Sequence, residues 1–320
     1  MLIIGGSGLV GSTLVKYAKM KYDIHITINK NKSIFNDVST TKIDLINDQA
    51  SIIDLIRNFN PDVVVNTAAH SNLDFCEIDH KLTNALHVDA INYITKVCKQ
   101  IDTKLIFLST DAVFDGKSNT KYTENDKTNP VNYYGKTKLK AENIVLQSSK
   151  KNVVLRTSVI YGWHKSSKFT NWILSSLYQN KVVDPFIDQY NAPTLVDDLA
   201  KSILNIIEMD ISGLFHAVGN TCINRYEFAL LLADKFDLEK NLVKPVTSSE
   251  KKQSAPRPFR TCLDASKLEK ILNFKFCNLD DGISFMIHKS KSEKRNNVKL
   301  IQFKCKVPVR NPRILLLAIS

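Results

Sequence analysis

Tyr134 and Lys138 stand four residues apart in Tyr134-Gly135-Lys136-Thr137-Lys138, a spacing that puts both side chains on one face of a helix. An ammonium beside a phenol favours the ionised form, which makes a tyrosine an effective proton donor and acceptor near neutral pH. In a lysine-rich chain the spacing also arises by accident, so its meaning depends on its surroundings. Thr110 and Asp111 follow the apolar run Leu105-Ile106-Phe107-Leu108, which places them at the C-terminal end of a buried strand, where open α/β sheets hold ligands. A hydroxyl there can bond a substrate carbonyl, and a threonine there can equally cap a turn.

A third signal is Gly5-Gly6-Ser7-Gly8-Leu9-Val10-Gly11, directly after an apolar strand and before an amphipathic helix. Without side chains the backbone can approach a pyrophosphate, whose charge is stabilised by amide N–H groups at a helix N-terminus. Dinucleotide binding is the reading favoured over a ligand-free turn. The second strand ends in Ile28-Asn29-Lys30-Asn31-Lys32, with no acid to hold an adenosine ribose diol and two lysines able to meet an additional phosphate. NADPH is therefore the expected cofactor, with NADH as the alternative.

These residues need elements to position them, and the periodicity supplies them. Candidate strands at 2–4, 24–28, 63–66, 104–109 and 153–157 alternate with amphipathic stretches at 9–20, 50–58, 82–100 and 134–148, the pattern of repeated βα units around a parallel sheet. Val63-Val64-Val65 is apolar on consecutive positions, as a strand covered on both faces must be. The second half carries helical runs at 168–179, 195–208, 225–236 and 265–272, separated by proline-bearing loops. The fold class expected is α/β: a Rossmann-type doubly wound parallel sheet over residues 1–160, and a smaller α/β substrate lobe over 161–288, some of whose segments return to the sheet. Residues 289–320 read as a basic tail without helical or strand period, poorly ordered.

With 320 residues and 43% apolar content, the chain can bury a large core. Its apolar runs fall far short of the roughly 20 residues that span a bilayer, and no export leader is legible at Met1; a cytoplasmic protein is expected. The net charge of +12 suggests nucleic acid, yet from Lys289 onward nine Lys or Arg face one Glu, which leaves +4 for residues 1–288. The basic excess belongs to the tail, so no nucleic-acid partner is expected. Six scattered cysteines show neither zinc spacing nor a disulfide framework, so reduced thiols and no metal are expected.

Taken together, the glycine turn, Ser109-Thr110-Asp111-Ala112-Val113-Phe114-Asp115-Gly116 and Asn129-Pro130-Val131-Asn132-Tyr133-Tyr134-Gly135-Lys136-Thr137-Lys138 resemble the extended short-chain dehydrogenase/reductases, in the dTDP-4-dehydrorhamnose reductase branch. Asn66-Thr67-Ala68-Ala69-His70, Arg156-Thr157-Ser158, Asp188-Gln189-Tyr190-Asn191-Ala192-Pro193-Thr194 and Arg257-Pro258 extend the likeness over roughly residues 1–288. The resemblance implies NADPH-dependent reduction of a 4-keto-6-deoxysugar nucleotide, by a homodimer. It implies Tyr134 as proton donor, Lys138 on the nicotinamide ribose, and Thr110 on the reacting oxygen. Asp111, Val159 and Arg257 would face the sugar nucleotide. Gly5, Ser7, Gly8, Leu9 and Val10 would face the pyrophosphate, Asn29, Lys30, Asp44 and Leu45 the adenosine, and Ala68, Ala69, His70 and Ser71 the ribose and nicotinamide.

Three positions depart from the family pattern. Ala112 stands where Tyr is usual, Asn191 where Gly is usual, and Val159 where rhamnose-pathway members commonly carry a Trp. Two further readings therefore accompany the reductase: a sugar-nucleotide epimerase, and a non-catalytic NADP-binding subunit like the methionine adenosyltransferase beta subunit, which resembles the same branch.

Overall fold

A computed structural model of the chain describes residues 1–296. In chain order its elements are β1 (Leu2–Ile4), α1 (Leu9–Ala18), β2 (His25–Ile28), β3 (Ser39–Lys42), α2 (Gln49–Phe59), β4 (Val63–Asn66), α3 (Leu73–Ile78), α4 (His80–Asn84), α5 (Ala90–Gln100), β5 (Lys104–Thr110), α6 (Tyr133–Ser148), β6 (Val153–Thr157), β7 (Ile160–Tyr161), α7 (Lys168–Tyr178), β8 (Tyr190–Asn191), β9 (Thr194–Leu195), α8 (Val196–Glu208), β10 (Gly213–His216), β11 (Ile223–Asn224), α9 (Arg225–Lys235), α10 (Ser266–Leu272) and α11 (Leu279–Asn296). Seven strands form one parallel sheet in the order β3-β2-β1-β4-β5-β6-β10. The order reverses between β1 and β4, the position at which doubly wound sheets open a ligand crevice.

Side-chain alternation explains why both faces are covered. Ile3, Val65, Ile106 and Leu155 pack with α1 and α8 on one face. Their neighbours Leu2, Ile4, Val64, Leu105, Phe107 and Val154 pack with α2, α5 and α6 on the other. A period of two with both phases apolar is what a sandwiched parallel sheet requires. Outside the sheet, Tyr161, Ile173, Leu177, Phe228, Leu232, Ile283 and Met286 close a separate core among α7, α9 and α11.

Several expectations change here. β3 is polar and mostly exposed, so hydrophobic periodicity gave no sign of it. The helix expected over 82–100 is interrupted by a π-turn at Ala85–Asp89 between α4 and α5. The extension expected to begin without order at 289 instead starts inside α11, where Lys289 donates to Asp197 at 2.5 Å; the rest of that extension, from 297, lies outside the described residues. Reduced thiols were expected throughout, but Cys222 and Cys262 form a disulfide across 40 residues. Their contact depends on β11 lying close to the segment around Arg260, a tertiary pairing that cysteine spacing does not encode.

Candidate functional site

The glycine turn sits where the sheet order reverses. Gly5 takes φ +85°, a left-handed conformation open to glycine, and a Cβ there would sit 2.8 Å from Thr67 Oγ1 at the end of β4. A Cβ at Gly11 would sit 2.4 Å from the Gly5 carbonyl oxygen, so α1 can lie against the turn. Gly8 caps α1 without a side-chain acceptor, which leaves the amides of Leu9 and Val10 open beside Ser7. An anion accepts such hydrogen bonds and is favoured by the helix dipole. The cradle therefore suits a pyrophosphate.

Around it lie the other residues expected to hold a cofactor. Asn29, at the end of β2, hydrogen-bonds Asp44, and the Ile46 amide, Asn47 and Asn29 together hold the Asp44 carboxyl below its usual range. Lys30 stays exposed on the same rim. The Leu45 carbonyl accepts from the Tyr93 hydroxyl, and the Ala68 amide donates to Asn66 at 3.0 Å. The His70 amide donates to His87 Nε2 at 3.0 Å; burial lowers the His70 imidazole pKa, and the nearby Lys30 charge lowers it further. Exposed Ala69 lies between them, and Ser71 accepts from Lys168 of α7 at 2.9 Å.

Tyr134 and Thr110 are brought together by a close approach of backbones. Asn132 caps α6 by accepting from the Gly135 amide at 2.8 Å. A Cβ at Gly135 would lie 2.2 Å from the Ala112 carbonyl oxygen, so glycine lets the first turn of α6 rest on the segment after β5. Cys76, Ala112, Leu73 and Phe75 pack around the Tyr134 ring, and His87 meets it edge-on at 5.5 Å. That burial drives the phenol's pKa far up; the Thr110 hydroxyl opposes the shift and the Asp111 charge adds to it. Thr110 also caps the turn after β5, accepting from the Ala112 amide at 3.2 Å, so capping and site roles coincide.

The expected Lys138 to Tyr134 coupling takes another form. Lys138 is buried, donates to the Leu108 carbonyl at 2.5 Å and lies 3.9 Å from the Phe107 ring centroid. Desolvation lowers its pKa to about 7, against the pull of Glu142. The phenol is thus a firmly protonated donor rather than one poised near neutrality, because burial outweighs any neighbouring cation.

Asp111 is gripped from three distant parts of the chain. Its Oδ2 accepts from Ser158 at 2.6 Å, Asn191 at 2.8 Å and Thr261 at 2.6 Å, while Thr110 donates to Oδ1 at 3.1 Å. Asn191, anomalous in the sequence, therefore has a definite partner. Val159, next to Ser158, adopts φ +41°, a strained choice for a β-branched residue of the kind that gathers at functional sites. Arg257 points at α3, donating to Asp74 at 2.9 Å and to the Ala255 carbonyl at 2.9 Å. Asn132 donates to Pro256 at 2.9 Å, so the loop bearing Arg257 is fastened across the Tyr134 helix.

His87, Ser158 and Thr261 carry no motif of their own. Ser158 lies within a quoted string, and a mid-helix π-turn at His87 is a recognised marker of functional positions, though it is invisible to periodicity. A groove of about 330 Å³ lined by Gln49, Arg57, Tyr93 and Lys96 holds none of the residues expected from the sequence to bind cofactor or substrate.

The family model described as the RmlD substrate binding domain matches residues 1–292. The methionine adenosyltransferase 2 subunit beta of Xenopus laevis is 37% identical over 232 residues, 70% of this chain and 69% of that one. The crystal structure of a hypothetical dTDP-4-dehydrorhamnose reductase from Sulfolobus tokodaii superposes with a TM-score of 0.79 at 32% identity, covering 88% of this chain and 98% of that one. A dTDP-4-dehydrorhamnose reductase from Bacillus anthracis, solved with NADP, shares the fold at 21% identity and a TM-score of 0.79, covering 90% and 98%. The chain belongs to the RmlD substrate-binding-domain family, built on the fold of the extended short-chain dehydrogenase/reductases.

Proposed function

We propose that the protein is an NADPH-dependent oxidoreductase that reduces the keto group of a 4-keto-6-deoxysugar nucleotide. The observation that carries this reading is the buried Tyr134 phenol facing the Thr110 hydroxyl at the C-terminal end of β5. The donor set fits the cofactor: Gly5, Ser7, Gly8, Leu9 and Val10 would hold its pyrophosphate, Asn29, Lys30, Asp44 and Leu45 its adenosine, and Ala68, Ala69, His70 and Ser71 with Tyr134 and Lys138 its nicotinamide ribose. When bound, the cofactor supplies the hydride. Thr110 orients the substrate carbonyl by donating to its oxygen, and Tyr134 delivers the proton to that oxygen as negative charge grows there. Asp111, held by hydrogen bonds from Ser158, Asn191 and Thr261, keeps its position beside the sugar, and the apolar wall of Leu73, Phe75 and Cys76 keeps water from the phenol.

The test is NADPH oxidation over a panel of 4-keto sugar nucleotides. Turnover on one sugar is expected, falling by about 10²- to 10⁴-fold in Tyr134→Phe with NADPH affinity kept. Full activity in that variant sinks the proposal. A second reading, a cofactor-binding subunit that acts through protein contact, draws on the 37% identity to an adenosyltransferase beta subunit and on Ala112 and Val159. It predicts NADPH binding without oxidation on any sugar.

A further inference from the structure

The Cys222–Cys262 disulfide lies at the edge of the Asp111 site. Cys222 immediately precedes β11, whose Ile223 pairs with Asn191 and whose Asn224 pairs with Tyr190. Cys262 immediately follows Thr261, whose amide donates to the Tyr190 carbonyl at 2.9 Å. β8 therefore runs between the two bonded segments, with β11 on one side and the chain around Arg260 on the other. Past Asn191, where β8 ends, the flanking segments converge, and the disulfide joins them with Cα atoms 5.5 Å apart.

Asn191 and Thr261 meet Asp111 at that same end. They donate to its Oδ2 at 2.8 Å and 2.6 Å, and the Asn191 carboxamide also donates to Thr261 Oγ1 at 2.9 Å. Two donors to one carboxylate oxygen thus stand beside the covalent tie. Backbone pairing gives them little other support: β8 and β11 pair over two residues, and the third segment joins β8 through a single bridge at Arg260. Pairing this short is marginal in water. The Cys262 carbonyl accepts from the Tyr122 amide at 2.8 Å, so that side is anchored, and the disulfide fastens β11 to it.

We infer that Cys222–Cys262 is a thiol–disulfide exchange site for dithiol reductants, and that its redox state sets how firmly Asp111 is held. The step is a two-electron exchange. A thiolate attacks the Cys222 sulfur, the S–S bond breaks, and Cys262 leaves as a thiolate that takes a proton. The reductant's second thiol then displaces Cys222 from the mixed disulfide, so the reductant departs as a disulfide and the protein keeps two thiols. The oxidised form of the same couple reverses the step. Cys222 is partly exposed and Cys262 buried, which makes Cys222 the point of entry. Exchange does not start from the other described thiols: burial raises the Cys76 pKa and pushes that of Cys98 up to about 12, and burial together with Asp198 pushes Cys277 up to about 12 as well. A thiol, unlike a thiolate, is a poor nucleophile. With the bond open, Asn191 and Thr261 separate more readily and Asp111 loses a fixed pair of donors. That the loosened carboxylate faces a sugar rests on the reductase reading. The redox dependence of its hold does not.

The experiment uses the full chain, oxidised or treated with dithiothreitol. Alkylation followed by peptide mass mapping is expected to label Cys222 and Cys262 only after treatment. Hydrogen–deuterium exchange in residues 188–194 and 257–263 is expected to run at least about 10-fold faster in the reduced protein. It should return to its first rate once oxidised dithiothreitol re-forms the bond, with β1 and β4 unchanged throughout. Cys222→Ser, with a melting curve to verify folding, is expected to show the faster rate with or without dithiothreitol. Labelling before treatment, equal exchange in the two states, or a Cys222→Ser protein that still responds to dithiothreitol overturns the inference. In the keto-sugar assay, reduction is expected to raise the KM for the sugar by about 3- to 10-fold, the size of one weakened hydrogen bond, with NADPH affinity kept; an unchanged KM also overturns it. Absence of turnover in both states, with the exchange response intact, defeats the reductase reading instead and leaves the redox control of Asp111 standing.

Discussion

Lys138 carries its charge against the pull of its surroundings. Buried at 2% exposure, it has a pKa of about 7 in the folded chain, well below that of an exposed lysine, with desolvation the main cause. Between these two values the unfolded chain binds the additional proton, so stability rises with pH across that window, by at most about 1.4 kcal/mol per unit. Urea midpoints measured from pH 7 to 9.5 should rise in wild type, and Lys138→Met should flatten that rise; an unchanged slope would mean the ammonium is better solvated than its geometry suggests. At this scale the sequence exposed Thr110, Tyr134 and Lys138, because motif and strand position are local properties. It could not expose the grip on Asp111, whose donors come from positions 158, 191 and 261 and meet only after folding. It also implied the wrong state for Tyr134, since the depth of an apolar wall is not written in a four-residue spacing.

Gly135 is the hinge on which the first turn of α6 meets the segment after β5. Alanine there must push against the Ala112 carbonyl oxygen, a backbone atom with no rotamer to escape into. Gly135→Ala should lower stability by about 1–3 kcal/mol, as overpacking does, and should reduce kcat far more than NADPH affinity by moving Tyr134 from Thr110. Chemical denaturation and steady-state kinetics check both parts. The regular elements were legible because β1, β4, β5 and β6 are apolar on both faces and α1, α2 and α6 keep a helical period. β3 is a polar edge strand paired only through its backbone to β2. α11 reads as a polar stretch, although Ile283 and Met286 seat it against the core of α7 and α9.

For the molecule as a whole, acid is the sensitive direction. His87 and His216, at 2% and 0% exposure, are held neutral mainly by desolvation, with pKa values lowered to about 3. The unfolded chain protonates them near pH 6.5, so stability is intact above that value and is lost as pH falls toward 3. At pH 5 each contributes a loss of up to about 2 kcal/mol, and His216→Gln should retain more of its own neutral-pH stability at pH 5 than wild type does. Equal fractional losses would place the sensitivity elsewhere. Charge distribution gave correct notice that the basic excess lies at the C-terminal end, but composition alone could not show that Lys289 is tied to Asp197 beside Tyr17. The strand β10 has a different implication, for engineering. It lies in sequence between Asn191 and Thr261, which meet at Asp111, yet completes the sheet beside β6, so the two halves of the gene are not interchangeable cassettes. A chimaera that exchanges everything after residue 160 for a relative's sequence also replaces the sheet's outermost strand and the helix α8 that covers α1. A transplant of the surroundings of Asp111 is safer when it moves the insert between β6 and α8 together with the segment around Arg257 and Thr261, leaving α8 and β10 in place.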